Sequence, residues 1–174
     1  MRSTQYDSQI ILNRSYKLFN KGGLNNLKIR AVAHACHCSV MPIYYSFKSQ
    51  QGLHHAVLKK AFDSFERNLI KETKSQHNSY SQHNPYWYFY TVLSNHPGLV
   101  SEITSNDKSV ITSLAIISHK YFPNTSIFAL QASLLLVCSA INIRNANNPN
   151  LPFSTFSKVT EGLLRNLEMT TISM

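Results

Sequence analysis

The chain has 174 residues, enough for one compact domain or a small head on a larger body. Of these, 43% are hydrophobic, which excludes wholesale disorder. Lysine and arginine outnumber the acids by 17 to 8, for a net charge of +9. This balance points to an anionic partner, most often nucleic acid, and leaves few carboxylates for paired acid–base catalysis.

In the first stretch, from Asp7 to Asn20, Ile11, Leu12, Ser15, Leu18 and Phe19 recur at helical spacing. Gly22-Gly23 then ends the periodicity. A second short helix is predicted over "LKIRAVAHA", with Ile29, Val32 and Ala33 facing inward. After a turn at Cys36-His37-Cys38, a third helix is predicted to start from Ser39. The Ser39 hydroxyl would cap the free N–H groups of the first turn, where Pro42 is tolerated. A longer helix follows from the N-cap Ser49, with Leu53, Val57, Ala61, Phe65 and Leu69 stepping by four.

The tetrapeptide "SQHN" occurs at 75–78 and again at 81–84, in a polar stretch read as a loop between functional halves. Its histidines read as solvated loop residues, with metal binding as the alternative. Asn84-Pro85 then supplies an N-cap and first-turn proline for a helix carrying the aromatic run "YWYFY" at 86–90. "HPGLV" at 96–100 begins another short helix, and further helices are predicted at 107–121, 125–146 and 153–169. No segment keeps a period of two for long, so the predicted fold class is all-α.

The charge is concentrated at the front. Residues 1–50 carry seven cations against Asp7 alone, a net of +6. From residue 76 onward five cations face four acids, a net of +1. Two short helices, a tight turn and a third helix carrying Ser39, Val40, Met41, Pro42, Tyr44, Tyr45 and Lys48 describe a helix-turn-helix. In that motif the second of the paired helices enters the major groove. The alternative for Tyr44 and Tyr45 is plain packing.

Residues 10–58 carry further features in the same register: Ile11, Leu12, Leu18, Phe19 and Gly23, then Ile29 to Ala33, Ser39, Ile43 to Phe47, Leu53, and Ala56 to Leu58. This stretch resembles the DNA-binding head of the tetracycline-repressor (TetR) family of regulators. "HPGLV" also resembles a segment often seen in that family's regulatory domain. The resemblance implies a helix-turn-helix head at 1–48 and a helical ligand-binding and dimerisation domain at 49–174. It further implies a homodimer on a near-palindromic double-stranded operator, acting as a repressor released by a small apolar or aromatic effector; the alternatives are a regulator controlled by a protein partner and a basic helical module that binds nucleic acid without sequence preference. Tyr44 would bond a phosphate and Lys48 would add charge at the edge of the site. Val40, Met41, Pro42 and Tyr45 would face base edges, and Lys28, Arg30 and Ser39 complete the implied set. The third helix holds no Arg, Asn or Gln to read guanine or adenine by paired hydrogen bonds, so thymine-methyl contacts and shape readout are expected to matter more than hydrogen-bonded readout. The chain departs from the family pattern at His37, where a glycine is usual, and at Lys28, which replaces a capping hydroxyl and leaves Asn26 to cap. It departs again at Gln50, where a lysine is usual, and at Arg14, which is placed to reach the DNA backbone.

In the second half, Phe62, Phe65, Tyr86, Trp87, Phe89, Tyr90 and Phe122 are candidates to line a pocket for a flat or apolar effector. Core packing is the alternative. Ile127, Leu130, Leu134, Val137 and Ile141, with Phe156, Val159, Leu163 and Leu167, are candidates for a dimer interface. The alternative there is burial within a monomer.

Other chemistry finds little support. "HACHC" at 34–38 lacks the wide ligand spacing of a zinc site, so no metal and no cofactor is expected, while thiol sensing by Cys36 or Cys38 stays open. His54-His55 reads as a surface pair without a carboxylate partner. There is no P-loop, G-x-G-x-x-G or G-x-S-x-G, so an enzyme is not expected. Three cysteines, no apolar signal core, and a longest apolar stretch at 133–143 predict a cytoplasmic protein with no membrane span.

Overall fold

The computed structural model describes residues 7–75, 85–105 and 108–147. Among the described residues it is all-helical, as the absence of period-two alternation predicted. Both "SQHN" segments beyond Ser75 and the expected helix at 153–169, with Phe156, Val159, Leu163 and Leu167, lie outside the described residues.

Helix α1 (Ser8–Gly22) starts at Asp7, whose carboxylate accepts from the Gln9 N–H at 3.3 Å. It buries Ile11, Ser15 and Phe19, one residue per turn, and the Ser15 hydroxyl is satisfied by the Ile11 carbonyl at 2.8 Å. Gly23 ends the helix at φ 70°, a conformation that glycine adopts without a Cβ clash. A single 3₁₀ turn (Leu24–Asn26) leads to α2 (Ile29–Cys36) and α3 (Met41–Phe47). Helix α4 (Gln50–Ser75) follows. Its first turn is held by Ser49, whose hydroxyl accepts from the Gly52 N–H at 3.0 Å, the cap expected from the sequence. Leu53, Val57, Ala61, Phe65 and Leu69 are all fully buried, so the four-residue step marks its inner face.

Four more helices complete the described chain: α5 (Pro85–Leu93), α6 (Pro97–Thr104), α7 (Lys108–His119) and α8 (Ile127–Asn147). The residues divide into two compact units. The first runs to Phe65 and takes in His96–Glu102; the second holds Glu66–Asn95 and the residues from Ile103 on.

In the first unit α1 packs against α2 and α3 around Ile11, Phe19, Leu27, Val32 and Ile43. Each such side chain contributes about 1.5–3 kcal/mol on leaving water. The "HPGLV" segment belongs to this core. Gly98 lies so close to Phe19 that a Cβ there would sit 2.5 Å from the ring and 2.6 Å from the Phe19 carbonyl oxygen. His96, almost wholly buried, is hydrogen-bonded to the Ser64 hydroxyl at 3.1 Å.

In the second unit α8 packs on α5 and α7. Glu66 accepts from Lys120 Nζ at 3.1 Å and from the Tyr121 hydroxyl at 2.9 Å, tying this part of α4 to the end of α7. Arg144 donates to the Tyr90 hydroxyl at 2.8 Å. Residues 127–146 of α8 are long and apolar enough to cross a membrane by length and composition, a longer run than the 133–143 stretch read from the sequence. Much of that apolar character is used inside the unit, where Leu130, Leu134, Val137, Cys138 and Ile141 are buried.

Candidate nucleic-acid interface

The turn between α2 and α3 is built by hydrogen bonds from the backbone. His37 adopts the left-handed conformation (φ 51°, ψ 43°), its N–H bonding the His34 carbonyl and the Cys38 N–H bonding the Ala33 carbonyl, each at 3.0 Å. These two bonds close the end of α2 in the manner that usually selects glycine. His37, which stands where the resembled family usually has glycine, thus takes the left-handed conformation in spite of its Cβ.

The start of α3 differs from expectation. Ser39 is not its cap. Val40 takes the capping position in a helical conformation and makes no side-chain cap bond, and its carbonyl accepts from Ile43 and Tyr44 at 3.2 Å. The helix tolerates this because Pro42 has no N–H, so the first turn has one fewer donor to satisfy. Ser39 is left exposed one residue before that cap.

Ile43 is fully buried and anchors α3 to the first unit. The opposite face is open: Met41 is 69% exposed, Tyr44 45% and Tyr45 83%. Val40 and Pro42 are half-buried beside them, and Lys28, Arg30 and Lys48 are exposed. Every residue singled out for DNA contact thus retains accessible surface. Lys48 ends the helix at φ 66° and places its ammonium 5.4 Å from the centroid of the Tyr45 ring. Sequence periodicity gives no sign of that contact, because Lys48 lies beyond the last helical residue.

Three neighbours take roles that the sequence reading missed. Arg14 does not extend outward; its Nη1 donates to the Ala35 carbonyl at 2.9 Å, a cation at the carboxyl end of α2, where the helix dipole favours it. Asn26 lies in the 3₁₀ turn and does not cap α2, whose N-cap is Lys28 without a side-chain bond. His54 is half-buried, its ring donating to the Leu27 carbonyl at 3.1 Å, so only His55 of that pair is fully at the surface. Cys36 is buried; burial first, then the Cys38 thiol, push its own thiol above the ordinary range. Among the described residues no three His, Cys, Asp or Glu side chains gather closely enough to hold a metal ion.

The candidate effector-site residues are mostly interior. In the second unit Tyr86, Tyr88 and Phe89 are buried, and Phe122 sits against Tyr88 and Phe89 with ring centroids 5.5 and 5.9 Å apart. Trp87 and Tyr90 are half-exposed. In the first unit Phe65 is buried and Phe62 half-buried.

The interface candidates on α8 divide in the same way. Leu130, Leu134, Val137 and Ile141 face inward with almost no accessible area, so they have little left to offer a second chain. The outward face carries Ile127, Phe128 at 68% exposure, Leu135 at 46% and Ile143. Of the expected residues, only Ile127 belongs to it.

No family model and no curated protein matches the chain. Among solved structures it is similar to the crystal structure of a TetR-family transcriptional regulator from Streptomyces coelicolor. That likeness has a TM-score of 0.62 and 14% sequence identity, over 91% of this chain and 77% of the other. The arrangement of helices carries this match, since so low an identity leaves few shared side chains. The chain has the fold of a TetR-family transcriptional regulator.

Proposed function

We propose that the chain is a sequence-specific DNA-binding transcriptional regulator acting as a homodimer, and that it works by binding alone, without catalysis. The observation that supports this reading best is the open face of α3. Met41, Tyr44 and Tyr45 are large side chains held in water by a buried Ile43, and exposed cations flank them. A helix that existed only to pack would turn such residues inward. On duplex DNA, Tyr44, Lys48, Lys28 and Arg30 would meet phosphates, while Val40, Met41, Pro42 and Tyr45 would face base edges and Ser39 would approach the backbone.

The head at 1–48 would read one half of a near-palindromic operator, and the body at 49–174 would supply dimerisation and effector binding. The exposed Ile127, Phe128, Leu135 and Ile143 on α8 support a second copy docking there, because paired across a two-fold axis they would leave water. An apolar or aromatic effector would act beside Trp87 and Tyr90, the half-exposed members of the aromatic run, and its binding would release the DNA. The reading is of a soluble, cytoplasmic repressor.

Fluorescence anisotropy tests it. The full chain is titrated onto DNA from upstream of its own coding sequence and onto a scrambled duplex of equal length, at several salt concentrations. Preference for the native fragment, reduced in Tyr44→Ala, is the expected result. Equal and steeply salt-dependent binding to both duplexes would reduce the chain to a basic module without sequence preference.

A further inference from the structure

We propose that the exposed face of α3 reads thymine 5-methyl groups, so that the centre of each half-site is rich in A·T pairs presenting thymines to Met41 and Tyr45. This rests on the DNA-binding reading above and adds to it the chemistry of the bases that are read.

Met41 and Tyr45 stand at positions i and i+4 and form a short stripe along the helix, with Tyr44 beside it and Lys48 just past its end. The stripe is the most exposed part of α3 and contains no Arg, Lys, Asn, Gln, Asp or Glu before Lys48. The bidentate pairings that select guanine or adenine by hydrogen bonds are therefore missing from the helix. It offers instead a thioether chain and an aromatic ring, both apolar and both well out in water. In the major groove only thymine carries a methyl group, the one base feature that an apolar side chain can select.

The Tyr45 ring also has one contact that favours its orientation. The Lys48 ammonium lies 5.4 Å from its centroid, at the end of a side chain whose backbone is turned by an N–H bond to the Tyr44 carbonyl at 2.8 Å and a φ of 66°. A ring biased in this way loses less freedom on binding than a free tyrosine would. Lys48 is on this account a positioning residue as well as a source of charge. The helix keeps only the hydroxyls of Tyr44, Tyr45 and Ser46 as donors, and the nitrogen donors nearest the stripe apart from Lys48, Arg30 on α2 and His37 in the turn, lie outside it, as does the Ser39 hydroxyl. Guanine readout by Arg30 is the competing outcome.

The experiment has two stages, both on the full chain. A preferred duplex is first selected from a random library. Its thymines are then replaced one at a time by deoxyuridine, which removes the methyl and keeps the base pairing, and its guanines by 7-deazaguanine. We expect a selected site with thymines in each half-site. At two or more of these the uracil form should bind about fourfold more weakly, the value of one buried methyl-sized group. The 7-deaza substitutions should have no comparable effect. Met41→Ala and Tyr45→Ala should each erase the uracil penalty at one position. Tyr45→Phe should keep it, since the ring and not the hydroxyl makes the contact. Lys48→Ala should shrink the penalty at the Tyr45 position, and a purely electrostatic Lys48 would leave it untouched. A selected site that is indifferent to uracil and weakened by 7-deazaguanine would overturn the inference while leaving a sequence-specific regulator in place. A library that yields no preferred sequence would overturn both.

Discussion

The Glu102 carboxylate accepts a hydrogen bond from the Leu24 backbone N–H at 2.6 Å, across 78 positions of sequence. Leu24 opens the 3₁₀ turn that reverses the chain between α1 and α2, and the left-handed Gly23 before it leaves room for the carboxylate. Glu102 itself is almost wholly buried. A partly buried backbone donor still favours a protein acceptor, and here one from α6 completes the turn in front of the helix-turn-helix.

Glu102→Ala should therefore leave the Leu24 N–H without its partner and cost about 1–3 kcal/mol. Glu102→Gln keeps an acceptor oxygen and should lose less. Urea unfolding followed by circular dichroism measures both. A Glu102→Ala protein as stable as the wild type would show that the bond contributes nothing net.

His37 supplies a second prediction through its backbone conformation. At φ 51° a β-branched residue meets its own carbonyl, and the left-handed region costs roughly 1–2 kcal/mol for residues with a Cβ. His37 already bears that cost, which is smaller for histidine than for a β-branched residue, so His37→Val should lower stability by about 1 kcal/mol, whereas His37→Gly, free of it, should be the more stable of the two variants. Thermal melts of the two variants compare them directly. Equal melting temperatures would mean that the turn relaxes out of the left-handed conformation without cost.

How much of this was legible beforehand depends on which residues one asks about. The inner face of α4 was readable because Leu53, Val57, Ala61, Phe65 and Leu69 obey one helical step, and all five are buried. The third helix was recognisable as an element, and His37 stood out because the resembled family usually has glycine there. Arg14 was misplaced because its acceptor, the Ala35 carbonyl, lies 21 residues away, and no local pattern announces it. Ser39 was a reasonable cap by residue type, but Pro42 had removed part of the need for one. The faces of α8 resisted reading for a different reason. Leu134, Leu135 and Leu136 are alike in chemistry, yet Leu134 is buried and Leu135 is not, so only the packing of α5 and α7 against the helix tells inside from outside.

Glu66 gives a dependence on pH with a definite sign. Hydrogen bonds from Lys120 and then Tyr121 hold its carboxyl below the ordinary range, against a smaller opposing effect of burial. A carboxyl whose folded pKa is lowered stabilises the fold at pH values above its unfolded pKa, about 4.3, and loses that contribution as pH falls through the folded value. Both partners are partly exposed, Lys120 by 58% and Glu66 by 28%, so solvent screens the pair and its worth is at most about 1 kcal/mol. Glu66→Gln should be less stable than wild type by that order at pH 7, with the gap closing in acid below the ordinary carboxylate range. Urea midpoints at pH 7 and pH 3 provide the comparison, and a gap unchanged between them would exclude an ionic origin.

The thiols should separate by reactivity. Cys138 on α8 is fully buried, and burial pushes its pKa up to about 12, so at neutral pH almost none of it is the nucleophilic thiolate. Cys36 is buried and shifted in the same direction, whereas Cys38, two residues on and beyond the end of α2, is half-exposed. Brief treatment of the folded protein with iodoacetamide at pH 7.5, followed by peptide mass spectrometry, should find the label on Cys38 first, and on Cys36 and Cys138 only after denaturation. Because Cys38 sits in the turn that presents α3, its alkylation should weaken DNA binding, and Cys38→Ser should make binding insensitive to the reagent. Early labelling of Cys138 would mean that α8 opens away from α5 and α7 in solution. Labelling of Cys38 with undiminished DNA affinity would place that side chain outside the bound surface.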